Sequence, residues 1–287
     1  MLHVPKSGGN TVLAAIRASL PDDAWAPYHF DPAMFGPFAD EPIPEQQRPL
    51  TVSDPTELTR FLGASGHYAL PTLMAGFAAA DVVLLLREPR ARLLSHYEYW
   101  RGLPDEHLDD GYTWSVTATA SELDLTDWIG DPRVAYQTDN IVVRMVLGRH
   151  DRVPDTDFIA EDDLLELAHE ARAAVATLGH VDVLERGVSM WASLGRRSGR
   201  PDLVAPPSEN VTGRRGDKPI DPATFDRPEF ADRLDRCTRG DAVVWESVAR
   251  RVGVERPQRL ADQTWQRRLG EVTAGDGAAD PGPGAHR

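Results

Sequence analysis

The chain has 287 residues, 41 % of them apolar and 26 % charged, with a formal net charge of −14. That is the length of one α/β domain with insertions and enough apolar residue for a real core. The acidic balance works against nucleic acid, which usually meets a basic face, and no run approaches the roughly 18 apolar residues of a membrane span. One cysteine, Cys237, excludes an internal disulfide and a Cys-based zinc site. Lys6-Ser7-Gly8-Gly9 interrupts any leader-like apolar segment, so cytoplasmic residence and no membrane partner are expected.

Residues 1–4 (MLHV) read as a short strand, and Val12, Leu13, Ile16 and Leu20 share one face of a helix that Pro21 ends. The proline-rich stretch 27–55 should be irregular. A short helix over 56–63 closes at Gly63, followed by a strand or turn through SGHYA (65–69). Residues 80–87 (ADVVLLLR) are the clearest strand, and their unbroken apolar run predicts burial on both faces, as in a parallel sheet. Pro89 opens a helix whose buried side carries Leu93, Leu94, Tyr97 and Trp100. Residues 103–127 look like a polar surface insertion or lid.

The second half reads as mostly helical: a segment over 139–148, an amphipathic helix over 161–178, a strand over 180–184, a helix over 185–196 and a long helix over 228–252. A polar loop spans 201–226. The domain is expected to cover 1–265, and 266–287 to be a disordered tail without apolar anchors. The sum is an α/β fold, a small parallel sheet flanked by helices with a helical second half.

HVPKSGGNT (3–11) has the layout of an anion cradle. Paired glycines between strand and helix let backbone N–H groups face a ligand, the helix N-terminus adds positive potential, Lys6 adds a full charge and Thr11 a hydroxyl. It is not a nucleotide loop of the Walker A type, because Lys6 precedes both glycines and no Lys-Ser/Thr pair is present to hold magnesium. The next strong strand ends in Arg87, where a magnesium-holding strand would end in Asp. A guanidinium at the carboxyl end of a parallel strand lies where α/β ligands bind, and its planar fork suits a phosphate.

HVPKSGGNT resembles the H-[IV]-P-K-[TS]-G-G motif of carbohydrate-type sulfotransferases, a group similar to the heparan-sulfate 2-O- and 6-O-sulfotransferases. LLLREPRARLLSHYEYW is similar to their second motif, with the same eight-residue step from Arg87 to Ser95. The resemblance implies a P-loop-like domain that takes 3′-phosphoadenosine 5′-phosphosulfate as donor. It implies that Pro5, Lys6, Ser7, Gly8, Gly9, Asn10 and Thr11 hold the phosphosulfate end, and Arg87 and Ser95 the 3′-phosphate. His67, in SGHYA, matches the family's catalytic base, with Lys6 as the second catalytic residue. Arg214, Arg215 and Gly216 match a late basic loop that closes the 3′-phosphate site. NIVVRMVLG (140–148) and LGHVDVLERG (178–187) are weaker echoes.

The expected activity is transfer of a sulfuryl group to a hydroxyl or amine of a glycan or small-molecule acceptor, without a metal. A non-catalytic nucleotide-binding relative and an ATP-dependent P-loop kinase are the alternatives. Glu88, Arg90 and Arg92 read as solvated charges at a helix start, His3 as a shaper of the loop and His96 as a weaker alternative base. Arg144 and Glu185 read as internal polar partners, and Cys237 as core.

Overall fold

The computed structural model describes residues 1–17, 21–32, 48–102, 122–200, 203 and 220–273. These form an α/β fold that is mostly helical around a small two-stranded parallel sheet. Strand β1 (Val83–Leu86) pairs with β2 (His180–Val183) in register from Val83–His180 to Leu86–Val183. Isolated parallel bridges extend the pairing sideways: Leu2 joins Leu84 to Gly66, and Phe30 joins His67 to Thr51.

The first strand is thus reduced to a bridge. Leu2 donates its N–H to the Val83 carbonyl at 3.0 Å and His3 to the Gly66 carbonyl at 3.1 Å. Pro5 then has no N–H to give, and Lys6 turns at φ 63°, so no further pairing is open to the chain.

Both faces of β1 are covered, as its unbroken apolar run requires. Leu85 packs with Val12 of α1 (Gly9–Arg17) and with Met190, Trp191 and Leu194 of α8 (Val188–Arg197). Leu84 and Leu86 point the other way, into a cluster shared by α2 (Leu70–Met74), α6 (Ile141–Leu147), α7 (Glu161–Ala176) and α9 (Pro228–Arg251). A second cluster joins α3 (Pro89–Arg101), α4 (Leu125–Gly130), α9 and α10 (Pro257–Thr273) through Tyr97, Trp128, Phe230 and Trp265. Two short elements remain on this side, the 3₁₀ turn Pro132–Val134 and α5 (Ala135–Thr138). No helix among the described residues is long and apolar enough to cross a membrane.

Three expectations need correction. Helix α10 runs on to Thr273 instead of giving way to a disordered tail at 266: Trp265 is buried, and Leu269 and Val272 pack beside it on a narrow apolar stripe. The polar stretch expected over 103–127 ends before Leu125, which is core in α4 behind the Asp124 cap; 103–121 lie outside the described residues. Two of the three charges at the start of α3 are not solvated, while Arg90 stays partly exposed. Glu88 is buried and caps the helix through the Ala91 N–H at 2.8 Å, and Arg90 answers it at 2.7 Å. Arg92 is 1 % exposed and faces α9.

The 140–148 echo has a structural explanation. Asn140, at φ 46°, donates its N–H to the Cys237 carbonyl and its Nδ2 to the Arg236 carbonyl, both at 2.8 Å. Its Oδ1 accepts from the N–H groups of Gly240 and Asp241, so one side chain docks α6 onto the backbone of α9. Arg144 pairs with Asp139 at 2.7 Å and donates to the carbonyls of Pro154 and Asp157, an internal partner as expected. Cys237 is core, and burial pushes its thiol well above the ordinary range.

Candidate functional site

The loop reverses at the end of the Leu2 bridge through two left-handed residues, Lys6 at φ 63° and Gly8 at φ 76°. For a lysine that conformation is uncommon and is held only where the surroundings enforce it. Ser7 N–H bonds back to the Val4 carbonyl at 3.3 Å, and the first bond into α1 runs from Val12 N–H to the Gly8 carbonyl at 3.2 Å. The N–H groups of that first turn, at Gly9, Asn10 and Thr11, have no intrahelical acceptor and sit at the positive end of the helix. The Ser7 hydroxyl is 1 % exposed and has no hydrogen-bond partner. A buried orphan hydroxyl beside first-turn amides and an ammonium fits an anion with several acceptor oxygens.

Lys6 reaches over α3. Its Nζ lies 4.3 Å from the centroid of the Tyr99 ring, a cation–π distance. Ser95 is one helical turn earlier on the same face and buried. The carbonyl of Lys6 accepts from Nη1 of Arg87 at 3.3 Å, joining the two motifs across 81 residues of chain. Burial draws the Arg87 guanidinium below its ordinary value, as does the charge of Arg268, against Glu185, Glu98 and Glu271. Glu185 is an internal partner as expected: it accepts the Glu88 N–H at 2.8 Å and the Trp245 indole N–H at 3.2 Å.

His67 is half-buried on the bridge to Phe30. Its Nδ1 lies 2.7 Å from the His3 carbonyl oxygen, an acceptor only, so Nδ1 carries the proton and the basic lone pair is on Nε2. Burial lowers its pKa against that backbone bond, with His29 adding repulsion, so the ring is neutral at pH 7. The His3 ring lies tilted beside it at 4.7 Å between centroids, and His3 also packs on Gly9. A Cβ at Gly9 would stand 2.8 Å from His3 Cγ and closer still to Cδ2 and Nε2, so the close approach requires glycine. The base candidate is thus one ring away from the start of the anion loop. His96 is a poorer candidate: its Nε2 already accepts the Trp100 indole N–H at 3.0 Å, and burial holds it neutral far below the ordinary range.

Pro5, Lys6, Ser7, Gly8, Gly9, Asn10 and Thr11 therefore form one loop and helix start, which Arg87 touches directly and beside which Ser95 shares a face with Tyr99. Arg214, Arg215 and Gly216 lie outside the described residues. Tyr99, Glu98 and Arg268 escape the motif reading. The first two follow Ser95 at helical spacing and were within reach of a periodicity argument; Arg268 lies in the stretch with too few apolar residues to announce a helix. Among the described residues no group of three or more His, Cys, Asp or Glu side chains is arranged to hold a metal ion. Comparison of the chain with protein-family models, with curated proteins and with solved structures finds no match.

Proposed function

We propose that this chain is a sulfotransferase built on a P-loop-like domain, moving a sulfuryl group from 3′-phosphoadenosine 5′-phosphosulfate to a hydroxyl or amine of a glycan or small molecule. The observation that carries the reading is the bond from Arg87 to the Lys6 carbonyl, which brings a second cationic end to an anion loop lacking the residues that would hold magnesium. A donor with a 5′ anionic chain and a separate 3′-phosphate has two anionic ends to match.

In this reading Nε2 of neutral His67 takes the acceptor's proton while the acceptor oxygen attacks sulfur, in line with the departing phosphate oxygen. Such a base contributes about 10²–10⁴-fold. Lys6 and the amides at the start of α1 stabilise the charge that grows on the leaving oxygen. Arg87 and Ser95 hold the 3′-phosphate and so fix the register of the sulfuryl group. The positive field comes from Lys6 and the loop, and no step is routed through a metal.

The test is a calorimetric titration with adenosine 3′,5′-bisphosphate and a labelled-donor transfer screen, on wild type and His67→Ala. Transfer should fall by about 10²–10⁴-fold with bisphosphate affinity nearly intact. Unchanged transfer overturns His67 as base. Bisphosphate binding without transfer to any acceptor reduces the protein to a nucleotide binder, and tighter binding of magnesium-ATP overturns the donor.

A further inference from the structure

Lys6 is gripped at both ends. Its backbone turns at φ 63° and its carbonyl accepts from Nη1 of Arg87 at 3.3 Å, while its Nζ stands 4.3 Å from the centroid of the Tyr99 ring. The first contact fixes where the side chain leaves the loop, and the second where the ammonium arrives. A lysine stem is flexible, and ordering it when a ligand binds costs conformational freedom. A stem held at both ends has given up that freedom before an anion enters.

Tyr99 is itself braced from the core. Its ring meets that of Trp100 edge-on, at 5.2 Å between centroids and 67° between planes. The Trp100 indole N–H donates at 3.0 Å to Nε2 of His96, one turn earlier on α3, and these two rings also meet edge-on at 5.7 Å. His96 in turn lies 6.0 Å from the ring of Trp128, which is fully buried in the second cluster. A line of four rings thus runs from the core to the ammonium. It gives His96 a task that occupies the nitrogen a general base would use.

A ring and a carboxylate hold an ammonium differently. A carboxylate cancels the charge it binds and competes with an incoming anion for the same N–H donors. An aromatic face attracts the ammonium through its quadrupole and leaves the full charge in place.

We infer that Tyr99 is a positioning residue: its ring holds the Lys6 ammonium in place for the 5′ anionic end of the ligand, and Trp100 and His96 hold the ring. The inference rests on the donor reading above and adds to it a residue to which the motif gives no role.

The chain contains two lysines, Lys6 and Lys218, so lysine-selective isotope labelling gives a simple spectrum in which Lys6→Arg assigns the Lys6 signal. The ring current of Tyr99 should move the Lys6 Hε protons upfield in wild type and in Tyr99→Phe, and the shift should vanish in Tyr99→Leu. Binding is then measured for adenosine 3′,5′-bisphosphate and for adenosine 3′-monophosphate, which lacks the 5′ anion. Tyr99→Leu should weaken the bisphosphate by about two- to fivefold, the scale of one partly exposed cation–π contact, and leave the monophosphate unchanged. Tyr99→Phe keeps the ring and should match wild type for both nucleotides. Lys6 protons that stay in place between wild type and Tyr99→Leu overturn the contact. An unchanged bisphosphate affinity in Tyr99→Leu, equal losses for both nucleotides, or Tyr99→Phe as weak as Tyr99→Leu overturns the positioning role. If wild type does not bind the bisphosphate, the donor reading falls and the anion part of this inference with it, while the ring-current shift still decides whether Tyr99 holds Lys6.

Discussion

Gly9→Ala tests whether the anion loop and the base candidate are mechanically one unit. The new Cβ would lie 2.8 Å from His3 Cγ and nearer to two other ring atoms, where carbon atoms settle at about 3.5–4.0 Å. The imidazole has to retreat by about 1 Å or more, but the His67 ring stands 4.7 Å away between centroids. Overpacking of this kind costs about 1–3 kcal/mol, and a shift of about 1 Å in a catalytic group can cost about 10²-fold. Urea unfolding and kcat/KM for transfer should both fall in Gly9→Ala. His3→Ala removes the obstructing ring yet keeps the backbone carbonyl that holds His67 Nδ1. The double variant Gly9→Ala/His3→Ala should therefore recover at least half of the stability lost in Gly9→Ala. Losses that simply add would refute the packing argument, because residues that do not touch behave additively.

Buried charge between α3 and α9 should set a pH dependence of stability. Burial pushes the Asp241 carboxyl from 3.8 up to about 6, while its Oδ1 accepts from the N–H groups of Val142 and Val143. An acid raised in the folded state loses stability as pH climbs from its unfolded to its folded value, here on the order of 3 kcal/mol between about pH 4 and pH 6. Asp241→Asn keeps the acceptor and loses the charge, so its urea-melt stability relative to wild type should rise across that window; parallel curves would refute this. The Arg92 guanidinium has all three nitrogens buried without hydrogen-bond partners and is drawn down by burial to about 10. Arg92→Met combined with Asp241→Asn should be as stable as wild type or gain about 1–4 kcal/mol, and a double variant less stable than wild type would refute this.

Elements with redundant local signals were legible in the sequence. β1 announced itself by an unbroken apolar run, and α3 by Pro89 one position after the Glu88 cap, a start signal that works without tertiary context. What was hidden depends on partners distant in the chain. Arg92 looks like any surface arginine at a helix start, and only the packing of α9 against α3 encloses it. Helix α10 exists because Trp265, Leu269 and Val272 find the second cluster, while most of its remaining surface is polar. The candidate site divides the same way: the loop was visible as a motif, but the Nε2 lone pair of His67 follows from a carbonyl 64 residues away.

The net charge of −14 and the cationic site are compatible because they act over different distances. At physiological ionic strength exposed charges are screened beyond about 8 Å, so a compact anion that has reached the loop is governed by Lys6, Arg87 and the amides of α1. In the proposed reading a concentrated anion suits the donor end of this site, and the acidic balance of the chain disfavours a long polyanionic acceptor.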